Sequence, residues 1–482
     1  MPVFVPGPCP APPKPIPELR QAHCGQLVVP ENRQHPNAPK IRLSVAIVVA
    51  ATPQKKSDPI VWLAGGPGDD AITEIPMATA GKLNADRDVI FMSQRGTYTA
   101  NPKLTCPVVD RWAAATLNMP YDAKATGDAY AAATLKCRQE LAPRTTDLGA
   151  YNTLESAADI EALRRALHIR KWNIYGISYG TDLALTYMRL YPRGIRSVGI
   201  DGIFPPSLAG GTAAWPSAAE GINAVFKACH AQSACRQRYG DIAATFQRLV
   251  LRYEASPKSF DVAIPGHPEK VKVMISGGML VQWAVSPGTH MAAKMPASID
   301  ALARGDVEPI ASIWGATKLD PAGVGVLSNG LFYGVSCGEW VPYETEDQVV
   351  DAGRAAFPAF PLSVLKNAPN LPFMRQNCRV WDVPAVPPGV RGVTRSKIPT
   401  LVMSAQYDAQ TAASFGPYVA RTLRNATVVT IPNVAHVAFG SPSVANACAQ
   451  SIARSFFDVL NRVNTGCIKD IPPTKFLITR RP

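Results

Sequence analysis

Residues 174 to 189 read Ile-Tyr-Gly-Ile-Ser-Tyr-Gly-Thr-Asp-Leu-Ala-Leu-Thr-Tyr-Met-Arg: a short apolar strand, a Gly-x-Ser-x-Gly turn and an amphipathic helix. In such a turn the serine hydroxyl stands clear of the sheet, and Gly176 and Gly180 let the neighbouring backbones come close. The amide of Tyr179 then faces the place where an oxyanion would form. The stretch therefore predicts a nucleophilic Ser178 at a strand-to-helix elbow.

A second Gly-x-Ser-x-Gly match lies at residues 334 to 338, so the pattern alone does not choose the nucleophile. A compact strand precedes Ser178, and the apolar residues after it recur with helical spacing before the first proline, Pro192. Ser336 is followed by Pro342, and a proline at that distance would break the helix that an elbow needs. The context favours Ser178, and we interpret Ser336 as a loop serine beside a disulfide cysteine.

The composition of the chain is that of a globular protein. Its 482 residues are 47% hydrophobic and 18% charged, so a single α/β core with one large insertion would hold them. The longest apolar stretches, such as Leu43 to Ala51, are far shorter than the ~18 residues of a membrane span, so no stable membrane insertion is expected. The positive excess of 13 charges is dispersed, without basic runs, which argues against a nucleic-acid partner.

Strand and helix signals alternate along the first two hundred residues. Residues 1 to 40 are rich in proline and are expected to be irregular. Asn152 is a predicted N-cap, with Glu155 three residues later, for a helix that ends near Leu167. This alternation predicts a mostly parallel sheet with helices on both faces. The strand signals are Ile41 to Ala51, Ile60 to Ala64, Val89 to Ser93, Trp172 to Tyr175 and Val198 to Ile200.

The alternation of strand and helix patterns stops after Pro205, and helical patterns with scattered glycine and proline continue to about Arg395. Strand signals return at Thr400 to Ser404 and Thr427 to Ile431. We therefore predict a core whose first part is residues 1 to 206 and whose second part is residues 396 to 482. Residues 207 to 395 would form a mainly helical cap, inserted after the sixth core strand.

An aspartate and a histidine, each on the loop after one of the last two predicted strands, complete a set of side chains for nucleophilic catalysis. A serine hydroxyl needs a general base, and the base needs an orienting carboxylate. Asp408 follows the strand at 400 to 404 and His436 follows the strand at 427 to 431, each on a loop at the carboxyl end. Two alternatives stay open: Asp408 as a helix cap, with Asp201 as the acid, and His436 as a buried structural histidine.

The ten cysteines form an even set without a Cys-x-x-Cys pair or zinc-ligand spacing, so five disulfides are favoured over metal binding. Sequence does not fix the connectivity. Five disulfides would place the chain in an oxidising compartment, whereas ten free thiols in a cytosolic protein is the alternative. The simplest pairing follows sequence order: Cys9 with Cys24, Cys106 with Cys137, Cys229 with Cys235, Cys337 with Cys378, and Cys448 with Cys467.

An exported protein needs a signal segment, and residues 1 to 8 have neither a charged amino-terminal region nor a long apolar one. We therefore expect a mature chain with an added Met, located outside the cell or in the periplasm.

Taken together, these motifs resemble one family along nearly the whole chain: the secreted tripeptidyl aminopeptidases, relatives of prolyl aminopeptidases within the α/β-hydrolase fold. The resemblance implies that fold, favours export and favours the local disulfides. Two positions depart from the family, Ala64 where histidine is frequent and Ser93 where aspartate is frequent. The matching stretches are Cys24 to Pro30, Gly65 to Gly68, Gln94 to Thr97, Gly176 to Gly180, Asp201-Gly202, Asp408, His436, Cys448 and Cys467.

The glycine turn after the strand at 60 to 64 is the expected second half of an oxyanion hole. Similarity to the family points to the amide of Gly66, paired with that of Tyr179. A tight turn that needs a positive φ is a structural interpretation of the same glycines, and it is compatible with the functional one.

An aminopeptidase also needs a carboxylate for the free α-ammonium of its substrate. Glu339 is the cap candidate because a disulfide at Cys337 would hold it, and Trp340 would form a wall of the cleft. A solvated glutamate on a cap loop is the alternative, and Glu220 and Glu344 are lesser candidates.

The sequence thus predicts a secreted serine hydrolase that releases tripeptides or short N-terminal units through an acyl-enzyme, with no cofactor and no metal. The main alternative is a carboxylesterase or amidase that uses the same triad on small acyl esters or xenobiotics. A catalytically silent binding protein on this scaffold is a third hypothesis. The sequence leaves the oligomeric state open.

Overall fold

The predicted strands pair in one large sheet in a computed structural model of the chain, which describes residues 2 to 35, 37 to 440 and 443 to 480. The sheet order is β1-β2-β3-β5-β4-β6-β7-β10-β11. From β5 to β11 all neighbours are parallel, whereas β1, β2 and β3 form an antiparallel edge that joins β5. The strands are β1 Val3–Pro6, β2 His23–Pro30, β3 Lys40–Val48, β4 Ile60–Leu63, β5 Val89–Met92, β6 Trp172–Ile177, β7 Ile195–Asp201, β8 Lys258–Val262, β9 Val271–Ile275, β10 Thr400–Ala405 and β11 Ala426–Ile431.

The expectation that residues 1 to 40 are irregular is wrong, since β1 and β2 lie within them. Leu27 and Val29 alternate with less buried residues and place one face of β2 in the core. Pro30 and the prolines before β2 hid this pattern, which depends on pairing with the distant β3.

The central parallel strands are apolar along their whole length because helices cover both faces of the sheet. Ile174 of β6 packs on one face in a cluster with Leu183, and Tyr175 packs on the other face with Phe456. The mostly parallel α/β architecture is therefore confirmed.

The helices that precede or flank the central strands begin and end as follows: α1 Ile75–Ala80, α2 Pro107–Asp110, α3 Trp112–Ala115, α4 Lys124–Leu141, α5 Thr153–Ala166 and α6 Tyr179–Leu190. Between β7 and β10 lie α7 Gly210–Ala231, α8 Ser233–Tyr239, α9 Ile242–Ala255, α10 Gly277–Trp283, α11 Met295–Ala303, α12 Glu308–Leu319, α13 Asn329–Val335, α14 Glu346–Ala356, α15 Leu362–Leu365 and α16 Met374–Trp381. The last two are α17 Phe415–Ala420 and α18 Val444–Val459.

The long insertion follows β7, which is the sixth strand after the short edge strand β1. It is mainly helical, and its buried side chains, such as Trp215 and Trp283, share an apolar cluster with residues outside it, among them Leu117 and Tyr407. It also contains the antiparallel hairpin β8–β9, which the sequence pattern did not indicate.

Segments outside the insertion pack on it. The Thr134 hydroxyl of α4 lies 2.9 Å from the Tyr333 hydroxyl, and the Tyr239 hydroxyl donates to the carbonyl of Leu477 at 2.6 Å. The division into residues 1 to 206, 207 to 395 and 396 to 482 remains a prediction.

Each cysteine of the described chain lies in a disulfide, and the five pairs are those of the sequence-order scheme. The pairs close loops of 6 to 41 residues. None of the helices in the described ranges has both the length and the apolar character needed to cross a bilayer.

Candidate active site

Ser178 lies at the sharp turn between β6 and α6, with φ +51° and ψ −126°. A positive φ is unfavourable for a serine, by the order of 1 kcal/mol, so the surroundings must hold it. They do so through close backbone contacts at two glycines. A Cβ atom on Gly176 would lie 2.4 Å from the carbonyl oxygen of Gly180, and one on Gly180 would lie 2.2 Å from that of Leu63.

Ser178, His436 and Asp408 form a continuous hydrogen-bonded chain. Nε2 of His436 lies 2.9 Å from Oγ of Ser178, and its Nδ1 lies 2.8 Å from Oδ2 of Asp408. The amide of Thr411 donates to Asp408 Oδ1 at 2.8 Å and its hydroxyl donates to Oδ2 at 2.7 Å, which fixes the carboxylate. The strands β6, β10 and β11 bring the three residues to one edge of the sheet.

Asp201, the other candidate for the acid, has a different set of contacts. Its carboxylate accepts the amides of Ala438 at 3.0 Å and Phe439 at 2.7 Å, and thereby holds the loop that follows His436. Burial raises the pKa of Asp201 to about 6, against the effect of those two amides.

The electrostatics of the His436–Asp408 pair suit a base that becomes charged. Burial alone would lower the pKa of His436, but the charge and hydrogen bond of Asp408 outweigh burial and leave the pKa raised. Burial would likewise raise the pKa of Asp408, but the imidazole and the Thr411 donors leave it lowered. Asp408 therefore stays ionised beside the histidine.

The turn from Gly65 to Gly68 lies directly against Ser178. A Cβ atom on Gly65 would be 3.0 Å from that of Ser178. Gly66 has φ +101°, and a Cβ there would lie 2.6 Å from the amide nitrogen of Gly68, so the turn requires glycine at this position. Tyr179 begins α6 on the other side, and its phenol lies 2.8 Å from the Thr153 hydroxyl.

Sequence reasoning missed Asp70, which anchors this turn. Its carboxylate accepts the amide of Ile72 at 3.0 Å, the Ser93 hydroxyl at 3.0 Å and the Thr99 amide at 2.6 Å. Ser93, one of the two positions that depart from the resembled family, thus donates its hydroxyl to a carboxylate of the neighbouring turn. Two consecutive aspartates after the glycines were the signal available in the sequence.

Arg95 is a second missed residue and is fully buried. Its guanidinium pairs with Asp159 at 2.9 Å and with Glu155 at 3.2 Å, both on α5. The resulting network ties the loop after β5 to the helix that precedes the elbow strand.

Glu339 and Trp340 lie in a π-helical turn at Ser336–Trp340. Glu339 is 3% exposed, and its Oε1 accepts the amide of Thr153 at 2.7 Å, the first residue of α5. Burial raises the pKa of Glu339 to about 7. The Trp340 ring packs on Phe204, with 5.2 Å between centroids, and lines a cavity of 670 Å³.

The interpretation of Ser336 as a loop residue is wrong, because α13 runs directly into the π-helical turn that contains it. No strand precedes it, so it is not at an elbow. Its hydroxyl is buried and lacks a hydrogen-bond partner among the described residues.

A second cavity of 900 Å³ opens beside the imidazole of His436. Its lining is mainly apolar and includes Ile177, Val437 and Pro472, with His290 at the side of the insertion. The described residues contain no group of three or more His, Cys, Asp or Glu side chains placed to hold a metal ion.

A mostly parallel sheet with a nucleophile elbow after β6 and loops carrying Asp and His after β10 and β11 defines an α/β hydrolase. The comparison with family models agrees: the model described as alpha/beta hydrolase fold matches residues 58–294, and the model described as TAP-like protein matches residues 369–466. The chain therefore has the α/β-hydrolase fold.

Its relatives include proteins named as serine peptidases. The chain is 26% identical to a tripeptidyl aminopeptidase of Streptomyces coelicolor over 210 residues, 40% of this chain and 36% of that protein. It is 22% identical over 444 residues to the serine protease Hip1 of Mycobacterium tuberculosis, 86% of this chain and 81% of that protein. The match thus spans about a third of the length of the tripeptidyl aminopeptidase.

A shorter match of 34% identity over 76 residues, 15% of this chain and 23% of the relative, is to a proline iminopeptidase of Neisseria gonorrhoeae. Among solved structures, an alpha/beta hydrolase fold protein from Chitinophaga pinensis covers 90% of this chain and 97% of its own, with 12% identity and a TM-score of 0.38.

Proposed function

We propose that the protein is a serine aminopeptidase in which Ser178 is the nucleophile, His436 the general base and Asp408 the orienting acid. The observation that carries the proposal is the hydrogen-bonded chain of 2.9 Å and 2.8 Å that joins these residues at the elbow. The names of the relatives and the match to the TAP-like model support a peptide substrate.

The first half of the reaction is acylation. Nε2 of His436 takes the proton of Ser178 Oγ as the oxygen attacks the scissile carbonyl. The amides of Gly66 and Tyr179 donate to the oxyanion, each worth about 3 kcal/mol of transition-state stabilisation. The imidazolium then returns its proton to the leaving amine, and the acyl group stays on the serine.

Deacylation repeats these steps with water in place of the serine hydroxyl. His436 takes a proton from the water, which attacks the ester carbonyl, and Ser178 leaves with that proton. The released product is the amino-terminal part of the substrate, a tripeptide or another short N-terminal unit in our proposal. Glu339 and Trp340 are the proposed contacts on the side of the insertion.

The proposed setting is outside the cytoplasm. Five disulfides and the similarity to the named peptidases support export to an oxidising compartment.

The nucleophile assignment is tested by covalent labelling with a fluorophosphonate, which reacts with an activated serine. The Ser178→Ala variant should lose labelling and about 10⁶-fold in kcat, as removal of a triad serine typically does. Ser336→Ala, the other pattern match, is the control and should label like the native enzyme. Persistent labelling of Ser178→Ala would rule out the assignment.

An esterase or amidase with the same triad is the second candidate. The apolar 900 Å³ cavity beside His436 favours it, since an apolar acyl group would fill that space. Hydrolysis of p-nitrophenyl esters and of peptidyl anilides, with and without an N-acetyl group, separates the two. If acetylation leaves the anilide rate unchanged, the aminopeptidase proposal fails.

A further inference from the structure

The 900 Å³ cavity beside His436 has walls from three separate parts of the chain. Ile177, the residue before Ser178, and Met77 of α1 line it from the core, and His290 lines it from the insertion. Residues 471 to 475, near the carboxyl end of the chain, form the third wall. The volume lies in the range of about 300 to 1,000 Å³ that is typical of ligand sites.

Hydrogen bonds hold the third wall in place. The side-chain amide of Asn433, three residues before His436, donates to the carbonyl of Pro472 at 2.8 Å. The amide of Leu477 donates to the carbonyl of Ala293 in the insertion at 2.8 Å. The segment is therefore bonded both to the loop that carries His436 and to the insertion, and the cavity has fixed sides.

The charges around this cavity are all of one sign. No aspartate or glutamate of the described residues lines it, whereas Lys294 and Lys475 do, within a mainly apolar surface. The 670 Å³ cavity lined by Trp340 differs, because it has four carboxylates and four basic side chains. An apolar side chain thus suits the cavity beside His436, whereas a basic one would lose water there and meet two lysines without a carboxylate to pair with.

The position of the cavity relates it to one half of a peptide substrate. In the proposed reaction the leaving amine takes its proton from Nε2 of His436, so the residue after the scissile bond must lie within reach of that atom. His436 itself lines the cavity. The amino-terminal unit has its proposed contacts at Glu339 and Trp340, and neither of them lines this cavity. The space beside His436 is therefore left for the leaving peptide.

We infer that this cavity binds the residue that follows the scissile bond and selects an apolar side chain at that position. The inference rests on the proposed function and names the substrate class of the same site, namely peptides in which an apolar residue follows the cleaved bond. Val444 gives access to a test because it lines the cavity, is 60% exposed and is the first residue of α18.

The acyl-enzyme provides a direct measure of this preference. A tripeptidyl anilide releases its aniline and leaves the tripeptide on Ser178, and added leucinamide or lysinamide then competes with water for the acyl group. The amine attacks the ester carbonyl, His436 takes one of its protons, and the Ser178 oxygen leaves with that proton. The ratio of tetrapeptide amide to free tripeptide should be about 10- to 100-fold higher with leucinamide, as expected for burial of a leucine side chain.

Val444→Glu adds a carboxylate to the cavity at a helix start, where glutamate is well tolerated. The preference for leucinamide over lysinamide should fall at least tenfold in this variant. Val459→Glu is the matched control: it is the same change at the last residue of α18, where the valine is 48% exposed, about 22 Å away along the helix. It should keep the native preference, and fluorophosphonate labelling checks that both variants are folded.

The outcomes separate the inference from the function on which it rests. Absence of aniline release from every tripeptidyl anilide refutes the aminopeptidase proposal itself. If aniline is released, equal yields with the two amines, or no amide product from either, overturn the inference alone, and so does a native preference that persists in Val444→Glu. A Val444→Glu effect that depends instead on leucine or lysine before the scissile bond would assign the cavity to the acyl half and would also overturn it.

Discussion

At the scale of single residues, the behaviour of His436 follows from two opposing effects. Burial favours the neutral imidazole, whereas Asp408 at 2.8 Å favours the charged form and prevails. In the proposed reaction, this balance lets His436 hold the proton that it takes from Ser178. The same balance determines how activity depends on pH.

We expect the acidic limb of the kcat/KM profile to have its midpoint above pH 6.5, the ordinary pKa of histidine. Only the neutral imidazole takes a proton, so activity is lost as the pH falls through the raised pKa of His436. The contribution of the charged His436–Asp408 pair to the free energy of unfolding has the opposite trend. It is fully present below pH 6.5 and is lost as the pH rises through the folded-state pKa of His436.

Asp408→Asn provides the comparison for that profile. It removes the charge that raises the pKa of His436, so the limb should move to lower pH, and kcat should fall about 10⁴-fold. A native limb centred at or below pH 6.5, or one that the substitution leaves in place, would contradict this account of the pair.

Glu339 gives a second prediction, on stability. Burial raises its pKa from 4.5 to about 7. The contribution of Glu339 to the free energy of unfolding is therefore fully present below pH 4.5 and is lost as the pH rises towards 7. In Glu339→Gln the side-chain oxygen still accepts the Thr153 amide, but no charge is buried. We expect the free energy of unfolding at pH 8 to increase by about 1 to 3 kcal/mol.

Urea unfolding of the native protein and of Glu339→Gln at pH 5 and pH 8 measures this change. The difference in unfolding free energy between the two proteins should be smaller at pH 5 than at pH 8. A variant that is less stable than the native protein at pH 8 would show that the ionised carboxylate stabilises the turn.

At the scale of elements, the elbow depends on the distance between α6 and β4. Gly180→Ala would place a methyl group 2.2 Å from the carbonyl oxygen of Leu63, two residues before the glycine turn that begins at Gly65. We expect a loss of about 1 to 3 kcal/mol in unfolding free energy and slower fluorophosphonate labelling, because the strand or the helix must shift. Gly323→Ala, where a Cβ meets no atom within 4 Å, is the control. Equal stability of the two variants would contradict this explanation.

Short sequence patterns predicted the positions of individual helices and strands well. Asn152 was expected as an N-cap, and its side chain accepts the Glu155 amide at 2.9 Å at the start of α5. Ser178, Asp408 and His436 were also accessible to sequence reasoning, because each follows a strongly apolar strand.

Contacts between distant segments were the part that the sequence did not reveal. Strand β1 exists because it pairs with β2, and its own four residues carry little pattern. The sequence left a solvated loop glutamate open as the alternative to a substrate contact for Glu339, because its burial depends on Thr153, which is 186 positions away. The role of Asp70 likewise depends on donors of Ser93 and Thr99, which no local pattern identifies.

At the scale of the whole molecule, the disulfides tie each part of the chain to itself. Cys337 and Cys378 join the turn that carries Glu339 to α16 across 41 residues, whereas Cys229 and Cys235 close a loop of only 6. Both pairs lie between β7 and β10, so their comparison isolates the effect of loop length within one region.

We expect replacement of Cys337 and Cys378 by serine to lower the free energy of unfolding by about 4 kcal/mol, against about 2 kcal/mol for Cys229 and Cys235. The longer loop gains more conformational freedom in the unfolded chain once its cross-link is removed. Urea unfolding of the two double variants under oxidising conditions measures the difference. If the two costs are equal, the native contacts around the turn, rather than loop entropy, determine what the disulfide contributes. The pH dependence of Glu339 should then change in the Cys337 and Cys378 variant, because the carboxylate would no longer be held at the amide of Thr153.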